Sequence, residues 1–376
     1  MRIGFDVSDL ATGRADGTTR YTSELAKRLP VLGQEHEWHY FAPFDSPAIR
    51  RLAQGKPDLR VHISSWPRYW TQLRLPWDLY RFRPDVLFMP IQQLPLLRPG
   101  NMKTVAVIHD LAIHYYPEQF TYKDWLLLHV FSAQAAREAD HLICVSRATA
   151  NDVSKFYGRT EGVHVIHHGL DHEQFRVPTV TEWSASRLAL EEKYAQLKQP
   201  YVLFVGQLQP RKNLMRLVEA FEKLVSSASS PALQLVIAGS HGWLNEPIKR
   251  RVATSKYTAR IHMLGRLPDE MLTVLYWHAE VFVLPSLYEG FGLPLLEAMA
   301  CGCPVVTSNI SSMPEVVGQA AILIDPLSTD DIVRGITEAQ QRREELKAAG
   351  VARAAEFSWD ATAQQTLKVL TGADRL

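Results

Sequence analysis

Residues 284–304 read Leu-Pro-Ser-Leu-Tyr-Glu-Gly-Phe-Gly-Leu-Pro-Leu-Leu-Glu-Ala-Met-Ala-Cys-Gly-Cys-Pro. The stretch continues Val281-Phe282-Val283, so it begins as the end of a buried strand. It turns through Pro285 and two glycines, then runs into an Ala/Leu/Met-rich helix. Gly290 and Gly292 permit positive φ and a close approach of backbone to a ligand. A helix opening near Pro294 carries amide N–H groups without intrahelical partners, those near Leu293 and Leu295, and these suit an anion. Proline fits such a start, because its missing N–H would go unpaired anyway. Two carboxylates, Glu289 in the loop and Glu297 in the helix, flank the turn. Acids repel a bare phosphate, so the pattern points to a ligand that carries phosphate and also sugar hydroxyls in need of acceptors. The plainer alternative is a strand-to-helix turn with two solvated acids.

Outward from this turn, short β-branched apolar runs alternate with helical periods along the whole chain, the pattern of an α/β protein with parallel sheets. Residues 2–7, 84–89, 104–108, 141–145 and 163–166 read as strands of a first domain. Residues 201–206, 233–238, 261–264, 304–307 and 321–324 read as strands of a second. Helical spacing is visible over residues 18–29, 125–139 and 359–370, and Ser146 suits a helix cap. Residues 173–199 look polar and weakly periodic, as a linker does. The expected domains are 1–175, joined by the last helix from about 359 to 376, and 195–358. Basic Arg211 and Lys212 sit at the strand-to-helix turn after Gly206, placed to meet a diphosphate. His109 ends a buried strand, where open α/β sheets receive ligands, and Gly17 lies in the loop after the first strand.

The string from Glu289 through Gly290-Phe291-Gly292-Leu293 to Glu297 resembles the nucleotide-sugar signature of retaining glycosyltransferases of family 4. These have the GT-B fold: two Rossmann-like, doubly wound parallel-sheet domains facing a deep cleft, with a C-terminal helix crossing back to the first. The resemblance implies that Glu289 holds hydroxyls of the transferred sugar and Glu297 the ribose. Gly206-Gln207-Leu208-Gln209-Pro210-Arg211-Lys212-Asn213 resembles the family segment whose Lys, and often Arg, neutralise the leaving diphosphate. Some relatives carry Arg directly after that Gly; Gln207 here cannot supply the charge. Residues 109–118, His-Asp-Leu-Ala-Ile-His-Tyr-Tyr-Pro-Glu, look like the version in bacterial mannosyltransferases, where the His matching His109 sits beside the sugar; His114 has weaker support. Arg266 and Leu267 match the border of the nucleotide base, and Gly17 the diphosphate or acceptor region, where Asp16-Gly17 stands for the usual Gly-Gly. The resemblance spans nearly the whole chain, strongest over residues 201–324 and weaker over 10–80.

Composition narrows the partners. With 41 basic against 40 acidic residues the net charge is +1, so no global field draws nucleic acid. Three cysteines in apolar surroundings suggest a reduced compartment without a zinc site, and the expected location is cytoplasmic. There is no Asp-x-Asp, the metal–diphosphate clamp of the other main glycosyltransferase fold, which fits a metal-independent enzyme without cofactor. Residues 66–83 combine Trp66, Tyr69, Trp70, Trp77, Tyr80 and Phe82 with Arg68, Arg74, Arg81 and Arg83. They suit anionic membrane headgroups at the inner face, a lipid-linked acceptor, or a packed helix with its arginines in water. The resulting expectation is retaining transfer of a hexose, mannose from GDP-mannose first, to a hydroxyl on a glycan or lipid-linked saccharide. UDP-hexose transfer, a GT-B nucleotide-sugar epimerase and a non-catalytic sugar-nucleotide-binding subunit are the alternatives.

Overall fold

The computed structural model describes residues 1–13, 16–54, 58–64, 66, 68–227, 232–240 and 246–373. Arg14, Ala15 and Pro67, which belong to the loop and the aromatic stretch singled out above, lie outside the described residues. The chain forms two compact units, Met1–Gly169 with Trp359–Leu376, and Leu170–Ser358.

The first unit is built on strands β1 (Arg2–Asp6), β2 (Glu37–Ala42), β3 (Leu59–Ile63), β4 (Val86–Met89), β5 (Lys103–Ile108), β6 (His141–Cys144) and β7 (Val163–Val165). All pair in parallel in the order β3-β2-β1-β4-β5-β6-β7. Continuous apolar strands demand cover on both faces. On one face a cluster joins Trp70, Leu75 and Leu79 to Met102, Ala135, Ala136 and Ala139, so the helices Leu75–Phe82 and Tyr122–Glu138 share one layer. The helix Gly17–Leu32 packs against the chain's last helix, Trp359–Thr371. Asp16 caps the first of these, its carboxylate accepting from the Thr19 N–H at 2.9 Å. Gly17 is therefore the first helical residue and not a turn glycine. Ser146 caps the helix Arg147–Tyr157 by accepting from the Thr149 N–H.

The second unit carries β8 (Tyr201–Val205), β9 (Gln234–Ala238), β10 (Ile261–Gly265), β11 (Val281–Leu284), β12 (Val305–Ser308) and β13 (Ile322–Ile324), parallel in the order β10-β9-β8-β11-β12-β13. In each sheet the order reverses once, between β1 and β4 and between β8 and β11. At such a switch point neighbouring loops diverge and leave a crevice at the strands' carboxyl ends.

The weakly periodic linker expected over residues 173–199 is corrected. A helix runs over Val180–Lys193, opened by a capping box in which Thr179 and Glu182 satisfy each other's backbone N–H groups. β2 and β3 were also absent from the reading above. Within 66–83, Trp70–Arg74 forms a π-helical turn entered through Tyr69 at φ 50°.

Candidate active site

The switch point of the second unit brings the loops after β8 and β11 together. The Pro210–Lys212 turn follows β8, and its Arg211 carbonyl accepts from the Leu287 N–H at 2.7 Å. Asn213 takes left-handed φ 59°, which Asn tolerates, and its side-chain amide donates to the carbonyls of Pro285 and Pro326. The turn is thereby fixed to the loop that carries Glu289.

On this frame Lys212, Arg211 and Glu289 meet. The Lys212 ammonium lies 2.5 Å from Glu289 Oε1, and the Arg211 guanidinium 3.4 Å from Oε2. Ser286 Oγ donates to the same Oε1 at 2.6 Å. Burial pushes the Glu289 carboxyl upward, yet the Lys212 and Arg211 charges overcome it, and the group stays below the ordinary carboxylate range. The Gln207 carboxamide oxygen accepts from Gln209, whose own oxygen accepts from Arg211 Nε at 3.0 Å. A second nitrogen of Arg211 donates to the Tyr288 carbonyl. Gln207 brings no charge, but it heads the relay that aims the guanidinium.

The loop after β11 is held from below. Ser311 and Ser312 hydroxyls donate to the Glu289 carbonyl, and Ser312 also to that of Phe291. Gly292 has φ 104° and opens the helix Leu293–Ala300, and a Cβ there would press 2.9 Å from Leu295 Cδ1. Gly290, expected to share this conformation, does not adopt it. The run of amides expected at the helix start is also smaller. Pro294 has no N–H, and the Leu295 N–H donates to the Gly292 carbonyl. Glu297, buried on the same helix, accepts from the Tyr276 hydroxyl at 3.0 Å. Gly206 closes the end of β8, and exposed Arg266 with half-buried Leu267 follows β10 along the same carboxyl edge.

In the first unit His109 follows β5, half-buried. Its Nε2 lies 2.7 Å from the Pro90 carbonyl, past the end of β4. A carbonyl only accepts, so Nε2 carries the proton, and Nδ1, without a partner among the described residues, presents a lone pair. Burial lowers its basicity, so the ring stays neutral near pH 7. Tyr21 packs edge-on against it with ring centroids 5.1 Å apart. His114 instead stacks on Phe156 and bonds the Tyr157 hydroxyl, a packing role.

The sequence reading missed Gln209, Ser286, Asn213, Tyr276 and Asp6. Asp6 stands at the other switch point, accepting from Trp70 Nε1 at 3.0 Å and from Ser8. Gln207 and Gln209, two apart on an extended loop beside Arg211, carried a readable signal, since such residues share one side.

Comparison with known proteins agrees with this architecture. Residues 187–354 match the family described as glycosyl transferases group 1, and residues 15–174 match glycosyltransferase family 4. The O-antigen chain mannosyltransferase B of Escherichia coli is 31% identical, over 93% of this chain and 94% of that protein. The serotype-specific mannosyltransferase WbdA of Escherichia coli is 31% identical over 72% of this chain but only 33% of its own length. Among solved structures, the sucrose-phosphate synthase of Thermosynechococcus elongatus superposes with a TM-score of 0.75 at 20% identity, covering 100% of this chain and 99% of that one. WaaG, a glycosyltransferase involved in lipopolysaccharide biosynthesis, gives 0.72 at 16% identity, covering 98% and 100%. Two matched families that share the chain between them, and a full-length relative above 30% identity, place it: this chain belongs to the GT-B glycosyltransferases, a family 4 unit followed by a group 1 unit.

Proposed function

We propose that the chain transfers mannose, with retention of configuration, from GDP-mannose to a hydroxyl of a growing glycan or lipid-linked saccharide. The observation that carries this reading is the Lys212–Arg211–Glu289 cluster at the switch point of the second sheet, with Glu289 buried and the two cations half-buried. A glycosyl diphosphate reacts by losing its diphosphate, so the main catalytic task is to stabilise charge growing on that leaving group. Lys212 and Arg211 are cations held in place before the reaction, with Glu289 beside them for the sugar hydroxyls and Glu297 for the ribose. His109 offers a neutral Nδ1 acceptor for a sugar hydroxyl. The incoming hydroxyl attacks from the face the diphosphate leaves, and a phosphate oxygen takes its proton. No step in this scheme calls on a metal. The names of the relatives, an O-antigen chain mannosyltransferase and a serotype-specific mannosyltransferase, support mannose, and the first supports a glycan chain as acceptor.

The acceptor side of the reading is a contact with an anionic bilayer, at the cytoplasmic face of the membrane. No helix among the described residues is long and apolar enough to cross one. Leu73, Trp77, Tyr80, Leu96 and Leu97 are exposed in one neighbourhood. The Gln72 side chain bonds backbone at Leu94 and Leu96, and Tyr80 bonds the Arg98 carbonyl, laying that loop along the helix. Tyr122, Leu126, Leu127 and Val130 are exposed on the helix in the same layer, and Arg81, Arg83 and Lys123 add exposed cations. An apolar face with a basic fringe suits headgroups above acyl chains.

The deciding experiment is calorimetry of GDP, UDP and ADP, each with and without EDTA, on wild type and Glu297→Ala. GDP alone should bind, indifferent to EDTA and weakened by the substitution. Tight UDP binding would move the reading to a UDP-hexose. An EDTA-sensitive heat would end the metal-free scheme, and an inverted product anomer, read by NMR, would end retention.

A further inference from the structure

The cations assigned to the leaving diphosphate already have a partner. Lys212 and Glu289 are 12% and 7% exposed along their side chains and stand at 2.5 Å, so this is a desolvated ion pair with Arg211 as a third member. A diphosphate that takes Lys212 and Arg211 therefore competes with the Glu289 carboxylate and, where it wins, displaces it. The displaced group stays buried, with the Ser286 hydroxyl left to it. A buried charge without compensating donors is costly. A nucleotide sugar supplies the missing donors, because its hydroxyls arrive with the diphosphate. A nucleoside diphosphate alone brings only its ribose hydroxyls, which this reading gives to Glu297, and none for Glu289.

We propose that Glu289 is a competitor for Lys212 and Arg211 that makes the site hold the intact nucleotide sugar and expel the spent nucleoside diphosphate. The inference rests on the second unit being the nucleotide-sugar site. Once the sugar has left, its hydroxyls leave with it, and the carboxylate returns to Lys212 and drives the diphosphate off. The step is an exchange of ion pairs and makes or breaks no covalent bond. Glu289 thus sets the balance between substrate binding and product release, in addition to touching the sugar.

The test is calorimetry of GDP, UDP and inorganic pyrophosphate on four proteins: wild type, Glu289→Gln, Ser286→Ala and Lys212→Ala/Glu289→Gln. Thermal unfolding of each checks the fold. Glu289→Gln keeps the shape and removes the charge, so the nucleotide that wild type binds should bind it about tenfold more tightly, the scale of one nearby charge. Transfer activity should fall at the same time. Ser286→Ala should act in the opposite direction and weaken the diphosphate, because the displaced carboxylate loses its remaining hydroxyl. This arm decides the matter if Glu289→Gln does not fold. Without Lys212 the gain from Glu289→Gln should shrink, the mark of coupling between the two residues. Equal or weaker diphosphate binding by a folded Glu289→Gln protein overturns the proposal and leaves the nucleotide-sugar site standing. Unchanged binding by Ser286→Ala does the same. Absence of binding by wild type to all three ligands overturns both.

Discussion

Asp6 ends β1 beside the first sheet's switch point, buried among Trp70 and Ser8. Burial pushes its carboxyl from 3.8 up to about 7, against the pull of the Trp70 and Ser8 hydrogen bonds. Between about pH 4 and 7 the folded chain holds a proton here that the unfolded chain has released. Stability contributed at Asp6 is therefore intact at low pH and lost as pH rises through 7. Asp6→Asn imitates the protonated form: its oxygen still accepts from Trp70 and its amide can donate to Ser8. The variant should match wild type near pH 4 and exceed it by about 4 kcal/mol near pH 8. Denaturant unfolding across that range checks this, and parallel pH curves for the two proteins would refute it. In sequence Asp6 marked only the end of an apolar run. Nothing local distinguishes an acid that a tryptophan 64 positions later will cover from one facing water.

At the scale of elements, legibility followed burial on two sides. Tyr201–Val205 and Val281–Leu284 are buried throughout and declare themselves as apolar runs. Glu37–Ala42 and Leu59–Ile63 did not, because His39, His62, Arg60 and Glu37 interrupt them. Their histidines pair across the strands, Nδ1 of His39 2.9 Å from Nε2 of His62, a match no single strand reveals. The helix Val180–Lys193 was missed because its apolar residues form no stripe: only Leu190 is buried, while Val180, Trp183 and Leu188 are exposed. The Lys212–Arg211–Glu289 cluster shows the converse. Each member stood out at its own turn, but the Ser286, Ser311 and Ser312 bonds that position Glu289 depend on the fold. The aromatic stretch divides between these cases. Trp70 is buried on Asp6, whereas Trp77 remains 65% exposed one turn past the π-helical segment. Such a residue stabilises the folded chain little, so Leu73→Ser/Trp77→Ser should leave the unfolding midpoint within a few degrees, as surface changes generally do. If the face meets lipid, the same variant should lose about tenfold or more of its partition onto vesicles containing anionic lipid. Equal cosedimentation of both proteins would assign these side chains to something other than a bilayer.

At the scale of the whole molecule, the chain builds most of one unit, completes a second, and then returns to the first with its last helix. The return is secured by one large side chain. Trp359 is buried, 5.7 Å from the His168 ring and 6.2 Å from Tyr21, both beside His109. Asp360 pairs with Arg28 at 2.7 Å, and the Thr362 hydroxyl donates to the His167 carbonyl. The ion pair lies in water and contributes little, so burial of the indole dominates. Trp359→Ala should cost the first unit about 3–5 kcal/mol, a large fraction of what an ordinary domain possesses. Arg211, Lys212, Glu289 and Glu297 all belong to residues 170–358, so the second unit should keep its nucleotide affinity within about twofold, since sites without shared partners behave additively. Unfolding followed by calorimetry, together with nucleotide titration, separates the two effects. The expected record is an early transition displaced downward, a later one that still responds to nucleotide, and lost transfer activity. A single transition shifted as a whole would mean that the two units unfold as one, and that the last helix secures both.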